Sequence, residues 1–174
     1  LGQKYSGPLK ESDFVYCGLS LPVMLTKAQI DAYNAVRSPS ARGLICHAPF
    51  TSLNFEQNGN VSACCYNRSF TLGHIPEDSL IDIWTGEKAA QFRAYIKENN
   101  LSGGCSACAE QIQAGNYKGT KAIYYDEYAG KFNWLEKLKA AFGKQENIVF
   151  PKVFEFELSN SCNLECVMCN GYFS

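Results

Sequence analysis

Phe50-Thr51-Ser52-Leu53-Asn54-Phe55-Glu56-Gln57-Asn58-Gly59-Asn60-Val61-Ser62-Ala63-Cys64-Cys65 holds two short runs separated by an Asn-Gly turn. Asn-Gly between two such runs signals a β-hairpin, because both residues tolerate the positive φ of a tight connection. A hairpin brings its outer ends together, so Cys46 and Cys64 come within reach of one another despite their separation in sequence. Successive strand residues point to opposite faces. Of Cys64 and Cys65, one therefore faces such a site and the other faces away. Downstream, Gly103-Gly104-Cys105-Ser106-Ala107-Cys108 is a Cys-x-x-Cys on a glycine-flanked turn, the form of a two-thiolate metal knuckle. Thiolates from Cys46, Cys64, Cys105 and Cys108 would close a metal site completely. On ligand chemistry alone, four Cys suit zinc as well as an iron–sulfur cluster.

A second group of thiols lies in Ser161-Cys162-Asn163-Leu164-Glu165-Cys166-Val167-Met168-Cys169-Asn170. Its spacing lets one loop wrap three sulfurs around one metal centre. Clusters that only transfer electrons are normally closed by a fourth Cys, and an open coordination position marks a reactive site. No His follows Cys169 in this chain to complete a zinc site. Just before it, Val153-Phe154-Glu155-Phe156-Glu157-Leu158 alternates apolar and acidic residues, which predicts a strand ending at the cysteine loop. Glu165 reads as a solvated loop carboxylate, and no catalytic side chain is assigned.

A strand followed by Asn-x-Cys-Asn-Leu-x-Cys-x-x-Cys resembles the radical S-adenosylmethionine (radical SAM) enzymes, although Met168 stands where that family often has an aromatic residue. The resemblance implies that Cys162, Cys166 and Cys169 hold a 4Fe–4S cluster whose free iron binds SAM. It also implies reductive cleavage of SAM to a 5′-deoxyadenosyl radical that abstracts hydrogen from substrate. Upstream, Cys46, Gly59 with Cys64, Leu72-Gly73-His74-Ile75, Ser79-Leu80-Ile81-Asp82-Ile83-Trp84, Arg93 and Cys105-x-x-Cys108 resemble the SPASM/twitch module. That module accompanies radical SAM enzymes and houses auxiliary 4Fe–4S clusters. The resemblance names Cys46, Cys64, Cys105 and Cys108 as ligands and prefers Cys64 to Cys65. No Cys lies between Cys108 and Cys162, as in the single-cluster twitch form.

The expected fold is α+β: a small twitch-type module of hairpin and helices, then the first strand and cluster loop of a partial (β/α) barrel. The expected organisation is an accessory segment at 1–43, the iron–sulfur module at 44–112, a helical linker at 113–149 and the start of the radical SAM domain at 150–174. Thr26 to Arg37 predicts a helix capped by Thr26, with Ile30, Tyr33 and Val36 on its packed face. Asp78 is expected to cap a short turn through Trp84, and Gly86 to Lys97 a helix with Ala89, Phe92 and Ile96 inward. Two further helices are expected at Thr120–Tyr128 and Phe132–Phe142. Cys17 reads as a small buried hydrophobe. His47, beside Cys46, and His74 read as ordinary polar residues.

Hydrophobic residues make up 46% of the chain, enough for a core, and the net charge of −1 without a basic run gives no footprint for nucleic acid. No apolar run reaches the roughly 20 residues needed to span a bilayer. Nine Cys in metal-type spacings suit a reducing cytosol, so a cytoplasmic location is expected. The resemblance points to a peptide or protein substrate and to a reductase or flavodoxin-type electron donor. The chain stops soon after Cys169, so it is expected to be an enzyme fragment that is inactive alone. The alternative is a non-catalytic zinc or iron–sulfur module serving electron transfer or partner binding.

Overall fold

The computed structural model describes residues 23–129 and 150–158. Cys17, the helix expected at Phe132–Phe142 and the Cys162, Cys166, Cys169 loop lie outside these residues. The described elements run in chain order α1 (Lys27–Ala35), α2 (Ala48–Thr51), β1 (Ser52–Phe55), β2 (Asn60–Ser62), β3 (Gly73–His74), α3 (Leu80–Thr85), α4 (Glu87–Lys97), α5 (Ser106–Gln113) and β4 (Val153–Phe156). Short 3-10 segments at Pro39–Ala41, Tyr117–Gly119 and Lys121–Tyr128 connect them. The expected mixed α+β character is present.

The hairpin forms where the Asn-Gly signal puts it. β1 and β2 pair antiparallel with Asn54 opposite Ser62 and Phe55 opposite Val61. Gly59 closes the turn at φ +90°, and a Cβ there would lie 2.4 Å from the Ile75 carbonyl oxygen. That position therefore demands glycine both for its backbone angle and for the close approach of β3. β3 pairs antiparallel with β2, and β4 pairs parallel with β1, giving the order β3-β2-β1-β4. The β4 ladder extends beyond its ends: Lys152 N–H donates to the Thr51 carbonyl at 2.7 Å and Glu157 N–H to that of Phe55 at 2.9 Å. The strand foreseen before the cysteine loop thus exists, and it lies on the edge of the hairpin's own sheet. Its acidic side is the one turned inward. Glu155 and Glu157 are half-buried, while Phe154 and Phe156 are 43% and 61% exposed.

One face of the sheet and the helices share a core that includes Leu53, Val61, Ile83, Trp84, Phe92, Ile96, Leu101 and Ile112. α4 presents Ala89, Phe92 and Ile96 to it, as the 3–4 spacing requires. α1 begins with a capping box in which Thr26 Oγ1 accepts from Gln29 N–H and the Gln29 side chain accepts from Thr26 N–H. Three expectations need correction. Val36 is the C-cap residue of α1 and 59% exposed, because the helix stops before its side chain reaches the packed face. α3 is capped by Ser79, whose hydroxyl accepts from Asp82 N–H; Asp78 instead accepts from His74 N–H at 2.8 Å. Lys121–Tyr128 is a 3-10 helix.

Candidate metal centre

The two ends of the hairpin and the knuckle meet around one small, almost wholly apolar cavity. Its wall includes Cys46, Cys64, Cys105 and Cys108, with Phe92, Ile112 and Tyr125 among the surrounding side chains. Cys46 stands two residues before α2, Cys64 follows β2, and Cys105 and Cys108 lie at the start of α5. Every pair among the four thiols is close enough to interact electrostatically. Cys65 is absent from the cavity wall. It lies instead by Lys121 and Glu155, and its backbone N–H points at Glu155 Oε2, 3.4 Å away. The two neighbours do diverge, but not by strand alternation. β2 ends at Ser62, and Cys64 opens a turn in which Asn67 N–H donates to the Cys64 carbonyl at 3.0 Å.

Each of the four sulfurs is met by N–H groups. Ala48 N–H points at Cys46 Sγ, 3.4 Å away. The backbone N–H groups of Tyr66 and Asn67 serve Cys64, and those of Lys121 and Ala122 serve Cys108. The Asn67 side-chain amide donates to the Gly103 carbonyl at 2.8 Å and lies 3.6 Å from Cys105 Sγ. Gly104 makes this approach possible: its φ is +81°, and a Cβ there would sit 2.2 Å from Asn67 Oδ1. Donors of this kind favour a thiolate over a thiol, and hydrogen bonds to sulfur tune iron–sulfur clusters. Burial opposes them in the metal-free protein. Loss of water is the largest influence on all four, raising Cys64 to about 12 and holding Cys46, Cys105 and Cys108 above the usual thiol range. The unloaded site therefore keeps its thiols neutral.

Three supports surround the cavity. The buried Arg37 guanidinium pairs with Asp126 at 2.6 Å and 2.7 Å, donates to the Leu44 carbonyl at 2.8 Å, and stacks 4.5 Å from the Tyr33 ring centre. On another side Lys121 Nζ and Tyr125 OH both reach Glu155 of β4 at 2.8 Å. Arg93 donates to the Pro49 carbonyl at 2.8 Å while lying 4.3 Å from the Trp84 ring centre, which braces the segment after Cys46. Neither histidine approaches the sulfurs as a donor. His47 Nε2 is 3.0 Å from the Ala41 carbonyl oxygen, and His74 bonds Glu77 and the Asn58 carbonyl.

Sequence reasoning missed the N–H donors to the sulfurs, at Ala48, Tyr66, Asn67, Lys121 and Ala122. Asn67 carried a weak signal, an Asn three residues after a cysteine at the end of a hairpin. Lys121 and Ala122 carried none, since only tertiary folding brings them to Cys108.

The donor set fits an iron–sulfur cluster: four thiols, a low-polarity wall and N–H groups aimed at sulfur. Among the described residues no three His, Cys, Asp or Glu side chains close on a single ion; the cysteines stand around a space. No curated protein and no solved structure matches the chain. Residues 46–109 match the SPASM family, an iron–sulfur cluster-binding domain, and that span takes in all four cysteines of the cavity wall.

Proposed function

We propose that this chain is part of a radical SAM enzyme. In this reading Cys46, Cys64, Cys105 and Cys108 carry an auxiliary 4Fe–4S cluster, and Cys162, Cys166 and Cys169 carry the cluster that binds SAM. The observation that carries the first half is the gathering of four cysteines from hairpin and knuckle around one cavity, each with an N–H donor. The match of residues 46–109 to an iron–sulfur domain supports it independently. The second half rests on the three-cysteine motif and on the company that SPASM-type modules keep.

When bound, the auxiliary cluster supplies an electron-accepting and electron-donating centre. The chain's own contribution is to exclude water, to hold four sulfurs in place and to donate hydrogen bonds to them. Loading requires those neutral, buried thiols to give up their protons, so binding weakens as pH falls. The radical SAM reading adds reductive cleavage of SAM, with hydrogen abstraction from a peptide or protein substrate and electrons from a flavodoxin-type donor or reductase. Metal analysis after anaerobic reconstitution tests the auxiliary site, in a chain whose Cys162, Cys166 and Cys169 are replaced by Ala. Iron and acid-labile sulfide in near-equal amounts are expected, with broad absorption near ~400 nm from thiolate-bound iron. Stoichiometric zinc without sulfide overturns the cluster assignment in favour of a structural zinc module.

A further inference from the structure

We propose that Glu155 and Lys121 form a charge clamp that tunes the metal centre and ties it to β4. This rests on the cluster reading of the four cysteines. Glu155 is the hub of the contacts between β4 and the cavity wall. One carboxylate oxygen accepts from Lys121 Nζ at 2.8 Å; the other accepts from Tyr125 OH at 2.8 Å and lies 3.4 Å from Cys65 N. All three partners adjoin the site. Tyr125 lines the cavity, Cys65 follows the wall residue Cys64, and the Lys121 backbone N–H serves Cys108. The Lys121–Glu155 pair is four-fifths buried on both sides, at 20% side-chain exposure each. Water therefore screens these charges only in part.

The arrangement sets two opposite charges beside a centre whose own charge changes on reduction. Hydrogen bonds and nearby charges around a cluster set its potential. The carboxylate disfavours the added electron and the ammonium favours it. Each residue also restrains the other, and Lys121 holds the turn whose N–H groups reach Cys108. Because β4 leads toward Cys162, movement of that strand would be felt at the cavity through Glu155.

The test measures the midpoint potential of the reconstituted cluster in the chain with Cys162, Cys166 and Cys169 replaced by Ala, so that one cluster is read. Glu155→Gln keeps a hydrogen-bonding group in place and removes a negative charge, so the midpoint shifts to more positive values. Lys121→Gln keeps its backbone N–H and removes a positive charge, so the midpoint shifts to more negative values. The double variant returns close to the parent. Shifts of opposite sign that cancel in the double variant support the clamp, since a packing defect has no reason to reverse its sign. Equal shifts of one sign, or none, overturn it while leaving the cluster reading intact. If Glu155→Gln fails to load, Lys121→Gln alone decides: a negative shift supports the clamp and an unchanged midpoint refutes it. A parent chain without iron and sulfide overturns the cluster reading and the clamp with it.

Discussion

Cys64 and Cys65 are chemically identical neighbours in different surroundings. Cys64 is 8% exposed and lines the cavity, with Tyr66 and Asn67 N–H groups directed at its sulfur. Cys65 sits beside the Lys121–Glu155 pair. Cys64→Ser is expected to lower the iron and sulfide content of the reconstituted site severalfold, whereas Cys65→Ser retains it; parallel metal and sulfide assays on both variants decide. The reverse outcome would mean that the turn after β2 presents the other thiol. The resemblance prefers Cys64, and Cys64 is the neighbour that lines the cavity, but strand alternation does not separate the two. The strand ends two residues earlier, and a turn stabilised by Asn67 does the separating. A hydrogen-bonded turn depends on which distant groups receive it, and local periodicity does not record that.

Elements were most legible where their stabilisation is local. The hairpin, the Thr26-capped α1 and the inward stripe of α4 follow from turn chemistry, capping and 3–4 spacing. Tertiary choices were not legible. Arg37, at the exit of α1, gave no sequence signal, yet its side chain is wholly buried and it joins three segments through Asp126, Leu44 and Asn34. Removing one partner of a buried pair strands the other charge in a poorly solvated place, at a cost of about 3–5 kcal/mol. Arg37→Ala is therefore expected to lower the unfolding free energy by about that much, measured by chemical denaturation of the metal-free chain. Lys27→Ala is the control. Its partner Asp31 sits one turn away on the exposed face of α1, with side-chain exposures of 85% and 59%, and water screens that pair. Similar losses from both variants would show that Arg37 contributes no more than a surface cation.

At the scale of the whole molecule, one sheet joins the hairpin to a strand about a hundred residues further along the chain. β4 was legible as a strand from its alternation, but its partner was not, because a parallel pairing across about a hundred residues leaves no local trace. Its acidic face also inverts the usual expectation: Glu155 and Glu157 turn inward because Lys121, Tyr125 and Arg68 wait there as partners. Among the described residues no helix is long and apolar enough to cross a membrane. Through Glu155 the sheet ties β4 to the Lys121 and Tyr125 side chains beside the cysteine-lined cavity. The two thiol groups nevertheless do separate chemistry in the radical SAM reading, and that separation is testable. In that reading four ligands from the hairpin and knuckle complete one site without the loop after β4, so replacing Cys162, Cys166 and Cys169 by Ala is expected to leave the auxiliary cluster in place. On the radical SAM reading, a parent protein that forms 5′-deoxyadenosine when mixed anaerobically with dithionite and SAM is expected to lose all of it in the same triple variant. Product at the parental rate would remove the radical chemistry from this loop, and loss of the auxiliary iron as well would mean that the two sites share ligands.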